Sequence, residues 1–146
     1  MQLGWILWLV GVLPPSLAEP LCLATTVYLE ARNQSEEGQR AVAEVILRRR
    51  DSGRYGTNAC DVVLAPGQFA TGRVSRRYLL QEPHAWENVV RSSLATLREW
   101  NRGPGRRRYI VPRAEHFHLD DGTVRPWAEG EPIAVIGDHA FFQARR

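Results

Sequence analysis

Glu30 is the side chain in this sequence best situated for proton chemistry. It closes the apolar stretch Cys22-Leu-Ala-Thr-Thr-Val-Tyr-Leu-Glu-Ala-Arg32, just before a break and a second amphipathic stretch from Gly38 to Arg48. A carboxyl group at such a junction is half shielded from water yet open to a cleft. Burial of that kind raises a glutamate pKa until the group donates a proton near neutrality. That property is required of the acid that protonates a departing sugar oxygen. The plainer reading, commoner on base rates, is an exposed helix-end glutamate paired with Arg32. Glu36, Glu37 and Glu44 read as solvated helix residues and Asp61 as a turn residue, so no second carboxylate stands out.

A second group of chemistry-bearing residues lies near the C-terminal end. His116 and His118 alternate, with Asp120, Asp121 and His139 close in sequence. Alternating residues of a strand share a face, so two imidazoles with one carboxylate can chelate zinc. The competing reading makes them polar residues of a cleft wall.

The elements that must position these groups follow from spacing. A first helix is predicted from Pro20 to Ala31. Asn33-Gln-Ser35 interrupts it. This is formally a glycosylation sequon, but Ser35 suits the N-cap of a second helix, with Glu36 and Glu37 in its first turn. Ala41, Val42, Val45 and Ile46 recur at helical spacing, and Arg48-Arg49-Arg50 suits the negative end of the helix dipole before Ser52-Gly53. The stretch from Arg54 to Arg77 reads as irregular. Pro83 opens a third helix with an apolar stripe of Trp86, Val89, Val90, Leu94, Leu97 and Trp100, stopped by Gly103-Pro104-Gly105. Tyr109-Ile-Val111, His116-Phe-His118 and Ile133-Ala-Val-Ile136 read as short extended pieces.

Ahead of all this, Leu3 to Leu13 is apolar, followed by Pro14-Pro15 and Ser16-Leu17-Ala18. The run is short for a bilayer span, and small residues at Ser16 and Ala18 suit a signal-peptidase site before Glu19. Residues 1–18 are therefore expected to be a signal peptide, or a membrane anchor where uncleaved, and residues 19–146 one catalytic domain. The third reading is a buried N-terminal helix, for which Trp5, Trp8 and the Pro-Pro pair are poor material. Export in turn favours one disulfide between Cys22 and Cys60, and no CxxC spacing points to redox or zinc chemistry.

With 44% hydrophobic and 24% charged residues, the chain has the composition of a globular domain. Its formal charge is +3 and every basic side chain is arginine. Such a balance suits an anionic polymer, and the Arg clusters read as solvated surface. A nucleic-acid partner would call for aromatics interleaved on a basic face, and no such motif is present.

In order along the chain, these segments resemble one family. The carriers are Cys22-Leu-Ala, Tyr28-x-Glu30-Ala-Arg32, Gly38-x-x-Ala-Val-Ala-x-Val45 with Leu47-x-Arg49, Cys60-x-Val62-Val63 and Gln68-Phe69. Ala114-x-His116-Phe-His118, Pro126-Trp127 and Ile136-Gly-x-His139-x-Phe141-Phe142 complete the series. It resembles the spore-cortex-lytic, cell-wall-hydrolase family. The resemblance implies an α+β, lysozyme-like fold, mostly helical with a small antiparallel β region and extended C-terminal segments. It implies action on peptidoglycan glycan strands, needing no metal or other cofactor; with the leader-like segment, the expectation is a monomer exported to the periplasm, cell envelope or extracellular space. Glu30 would be the acid, and Tyr28, Gln68, Phe69, His116, His118 and Trp127 would contact substrate. A one-acid, lytic transglycosylase route fits the missing second carboxylate better than water attack. The chain departs from the family's usual residues at Leu29, Asn33, Arg48, Ala70 and Thr71. Those departures keep two alternatives in view, a catalytically weak wall-binding protein and, from the histidines, a metal-dependent wall amidase or peptidase.

Overall fold

The protein is described by a computed structural model covering residues 1–123, 125–128 and 130–144. It contains α1 (Leu3–Val12), α2 (Pro15–Ala31), α3 (Glu36–Ser52), α4 (Ala59–Leu64) and α5 (Pro83–Trp100), then β1 (Ala114–Leu119), β2 (Ala134–Ile136) and β3 (His139–Gln143). The class is α+β, as the sequence implies.

Every face of α3 is occupied: α2, α4, α5 and β1 all pack against it. Ser35 caps it, its Oγ accepting from the Gly38 amide at 3.1 Å, and Gly53 ends it at φ 70°. The expected apolar face of Ala41, Val42, Val45 and Ile46 is fully buried. So is Glu44, read from sequence as solvated. Its carboxylate accepts from the amides of Ile110 and Val111 at 2.7 and 3.0 Å. Those amides need no strand partner, and Tyr109-Ile-Val111 accordingly forms no strand.

α2 begins five residues earlier than predicted and holds Pro20 in its interior. Pro15 at its first position supports that start, since a missing N–H costs nothing there. The early start runs the helix through the Ala18–Glu19 bond. α1 packs on α2, with Leu3 and Ile6 in the core, while Trp5 and Trp8 face outward at 65% and 62% exposure. The tryptophans that argue against a core helix thus lie on its wet side. The chain start is also bonded to a later loop. The Leu3 amide donates to Tyr78 O at 2.8 Å, Gly4 to Arg76 O at 2.7 Å, and Leu80 to Met1 O at 2.8 Å. A Cβ on Gly4 would lie 3.1 Å from Arg76 O, so this approach favours glycine. Among the described residues no helix is long and apolar enough to cross a membrane.

Within the stretch expected to be irregular, α4 forms over six residues. Its signal is an asparagine N-cap: Asn58 Oδ1 accepts from the Asp61 amide at 3.0 Å, and Asn58 Nδ2 donates to Asp61 Oδ2 at 3.0 Å. Six residues are too few for periodicity to register. The disulfide between Cys22 and Cys60 joins α4 to α2. In α5 the buried face differs from the expected stripe. Val89 and Trp100 are buried, with Ser92, Ser93 and Thr96 between them, while Leu94 is exposed. Small hydroxyl residues let α5 approach α3 closely, where Ser92 Oγ donates to Gln39 Oε1 at 2.7 Å.

The sheet is antiparallel, in order β1-β3-β2. His116 pairs with Phe142, His118 with Ala140 and Leu119 with His139. The turn between β2 and β3 is clasped from the end of α2. Gln34 Nε2 donates to Asp138 Oδ2 at 2.9 Å, and the Asp138 amide donates to Gln34 Oε1 at 3.0 Å. This clasp fixes the sheet relative to the helix that carries Glu30.

Candidate active site

A cleft of about 680 Å³ runs between the end of α2, the loop around Gln68 and the face of β1. Glu30 reaches it from the last turn of α2. Its Oε1 accepts from the Ala70 amide at 2.7 Å. Burial pushes its carboxyl above the ordinary range, and this outweighs the opposing pull of the Ala70 amide, Arg73 and Arg49. Glu30 is the only carboxylate among the described residues lining the cleft. Glu36, Glu37 and Asp61 line no part of it.

The loop opposite is bolted to α2 through Thr71, whose Oγ1 lies 2.6 Å from Thr26 Oγ1, both buried. The departure at Thr71 is thus a structural one: a hydroxyl pair fixes the short 3₁₀ turn Ala70–Gly72, whose first amide holds Glu30.

Arg49 is the residue that sequence reasoning missed. Read as a dipole-facing surface cation, it is 5% exposed at the base of the cleft. Its guanidinium centre lies 4.9 Å from the ring centroids of both Tyr55 and Phe69. Nε donates to Glu115 O at 2.7 Å, Nη1 to Gln68 Oε1 at 3.1 Å, and Nη2 lies 2.9 Å from His116 Nδ1. One rigid fork therefore joins the two walls, a task that suits arginine over lysine. The signal lay in the succession Arg48-Arg49-Arg50, where three neighbours on a helix cannot all face water. Arg48, at a departure position, turns elsewhere. It donates to Ala114 O at 2.5 Å and packs between Trp100 and Tyr109.

Of the residues expected to contact substrate, the structure brings Gln68, Phe69, His116, His118 and Trp127 to the cleft. Gln68 is exposed, while Phe69 is buried at 1% and forms the floor. His116 is held below its ordinary pKa by burial and then by Arg49. Trp127 stands 5.1 Å from the His116 ring and 5.5 Å from the His118 ring, and His118 stacks on Phe142 at 5.0 Å. These rings form a half-exposed aromatic wall along β1. His139, also in the lining, is buried and its Nδ1 has no hydrogen-bond partner among the described residues.

Tyr28 is not brought to the cleft. It is 1% exposed and points to the α5 side, where its ring meets Trp86 at 5.9 Å and its hydroxyl accepts from the Glu82 amide at 3.4 Å. Two residues along a helix turn the side chain through some 200°, away from the face of Glu30.

The histidines do not make a convergent metal centre among the described residues. His116 Nδ1 faces the Arg49 cation, and His118 Nδ1 lies 2.6 Å from Leu119 O. A guanidinium at the first nitrogen opposes a metal cation there.

Comparison with known proteins bears on the family and the fold. A family model described as Cell Wall Hydrolase matches residues 33–142, starting three residues after Glu30. The spore cortex-lytic enzyme of Bacillus subtilis (strain 168) is 32% identical over 120 residues, 82% of this chain. The chain spans only 35% of that relative's length. Among solved structures, the catalytic domain of the germination-specific lytic transglycosylase SleB from Bacillus anthracis superposes with a TM-score of 0.66. It is 25% identical, and the match covers 86% of this chain and 93% of that one. The catalytic domain of the Bacillus cereus SleB protein matches with the same TM-score and identity, over 89% of its length.

Proposed function

Because this chain belongs to the cell wall hydrolase family, we propose that it cuts the glycan backbone of peptidoglycan with Glu30 as its acid. The observation carrying the proposal is a single carboxylate among the described residues of the cleft, raised in pKa by burial and held by a main-chain amide.

In this reading the protonated Glu30 gives its proton to the glycosidic oxygen between N-acetylmuramic acid and N-acetylglucosamine. The C1–O bond breaks and positive charge develops at C1. The resulting Glu30 carboxylate then takes the proton of the sugar's own 6-hydroxyl, whose oxygen closes on C1. The product is a 1,6-anhydro end, Glu30 is protonated again, and no water is consumed. This lytic transglycosylase route is preferred because a water-attacking enzyme of the inverting kind needs a second carboxylate. Among the described lining residues there is none.

Gln68 has an exposed amide to bond a sugar hydroxyl or N-acetyl group. Trp127 offers a ring face, His116 and His118 a polar edge beside it, and Phe69 an apolar floor. One chain supplies both walls, so the reading needs neither a second copy nor a cofactor.

The substrate requires export. The apolar run before Glu19 suits a leader, and processing there during translocation would precede the folding that locks Ala18 and Glu19 into α2. The intact mass of the exported protein distinguishes a chain starting at Glu19 from one that keeps α1.

The functional test is a digest of purified sacculi with the wild type and Glu30→Gln, the soluble fragments being weighed. Anhydro-muramic products that vanish with the variant are expected. Reducing ends would replace the internal hydroxyl by water, and no products at all would sink the proposal.

A further inference from the structure

The charge of the cleft is unbalanced in a particular way. Among the described residues its lining holds three guanidinium groups, those of Arg49, Arg73 and Arg125, against the one carboxylate of Glu30. Two of the cations are engaged. Arg49 spends its donors on the cleft's own walls, and Arg125 lies 3.7 Å from Asp121. The Arg73 guanidinium has no hydrogen-bond or ion-pair partner among the described residues, and the residue is exposed.

Its main chain is nevertheless fixed. The Arg73 amide donates to Ala70 O at 2.9 Å, closing the 3₁₀ turn whose first amide binds Glu30. The free cation is therefore carried on the same rigid turn as the acid's anchor. A neutral glycan has no use for a bare cation there. An arginine fork set in a cleft wall is shaped for a carboxylate, with parallel donors that a point charge lacks.

We propose that Arg73 receives a carboxylate of the substrate beside the scissile bond, so that the enzyme selects strands bearing free acids. This deepens the glycan-cleaving reading and rests on it. The carboxylate has two sources with the same chemistry. One is the lactyl acid of muramic residues that have lost their peptide; the other is an acid of the stem peptide.

The pairing also bears on the acid. Arg73 is the charge that most strongly opposes protonation of Glu30, ahead of Arg49. A bound carboxylate cancels that charge, and the acid form of Glu30 is then favoured when substrate is in position. Recognition and activation become one event.

The experiment uses glycan strands in four forms: peptide-bearing or stripped by an amidase, each with its carboxylates free or converted to methyl amides. Wild-type kcat/KM is expected to be about tenfold or more higher on free acids than on the matching amides. In Arg73→Gln the ratio should fall close to one, and Arg73→Lys should recover part of it. The form that shows the larger ratio identifies the carboxylate. A variant inactive on every form is read by pull-down on acid and amide strands, where the same loss of preference is expected. A wild type indifferent to amidation, or a preference surviving in Arg73→Gln, overturns the proposal. A wild type that cleaves none of the four overturns the glycan-cleaving reading and this proposal with it.

Discussion

The amide of Ala70 meets Glu30 Oε1 at 2.7 Å, so the cleft's only described carboxylate is anchored by main chain and not by another side chain. A main-chain anchor cannot take Glu30's proton; burial, which raises the pKa, outweighs the downward pull of that amide.

That arrangement gives opposite signs for activity and stability. Folding raises the Glu30 pKa, so the folded chain holds a proton that the unfolded chain releases. Its contribution favours folding fully below the ordinary glutamate value of about 4.3, and is lost as pH rises through the raised value. Glu30→Gln should thus have a higher Tm than the wild type at pH 7, the gap closing at low pH. Its activity should fall by about 10²–10⁴. Wild-type kcat/KM should decline on the alkaline side as Glu30 ionises. Thermal scans and pH–rate profiles of the pair check all three.

Arg49→Lys keeps a cation and loses the fork. A lysine cannot bond Glu115 O, Gln68 and His116 from one plane, so at least one buried acceptor is left unmet. Stability should drop by roughly 1–3 kcal/mol in denaturant titration. In Arg49→Gln the His116 pKa should rise part of the way toward its ordinary value, readable by NMR, since burial, the larger cause, remains while the charge that opposes its protonation is removed. A variant with His116 unmoved would separate the two residues.

Cys60→Ser tests the tie between α4 and the helix of Glu30. The bridge closes a 38-residue separation, for which chain entropy predicts a stabilisation of about 4 kcal/mol. Loss of Tm on reduction of the wild type, with no effect of reductant on the variant, is the expected pattern.

Two residues of α1 should behave oppositely in the full chain. Ile6 is buried at 1%, so Ile6→Ala should cost about 2–5 kcal/mol. Trp8 is 62% exposed, and Trp8→Ala should stay within about 0.5 kcal/mol. Equal and negligible effects would mean that α1 contributes nothing to the core in solution.

The helices α3 and α5 were legible because each is long, periodic and punctuated: Ser35 and Gly53 for one, Pro83 and Gly103 for the other. The positions of Gln68, Phe69, His116, His118 and Trp127 came through the family resemblance, not through any local pattern. What stayed hidden was tertiary. Glu44 and Arg49 carry charges that a helical wheel assigns to solvent. Only the arrival of residues 110–116 from far along the chain gives them acceptors and donors inside. Tyr28 failed for the reverse reason, since nearness to Glu30 in sequence says nothing of the face it occupies. α4 was too short to be periodic, and its Asn58 N-cap was the one local sign.

The sheet order β1-β3-β2 puts a late segment between two earlier ones. β1 carries His116 and His118, yet its ladder partner is β3, which follows every other element. Until residues 139–143 are delivered, the histidine strand lacks its ladder partner and β2 has no strand neighbour. The cleft is consequently the last thing the chain completes. Under the proposed function, a chain still in synthesis lacks the finished cleft that glycan cleavage requires.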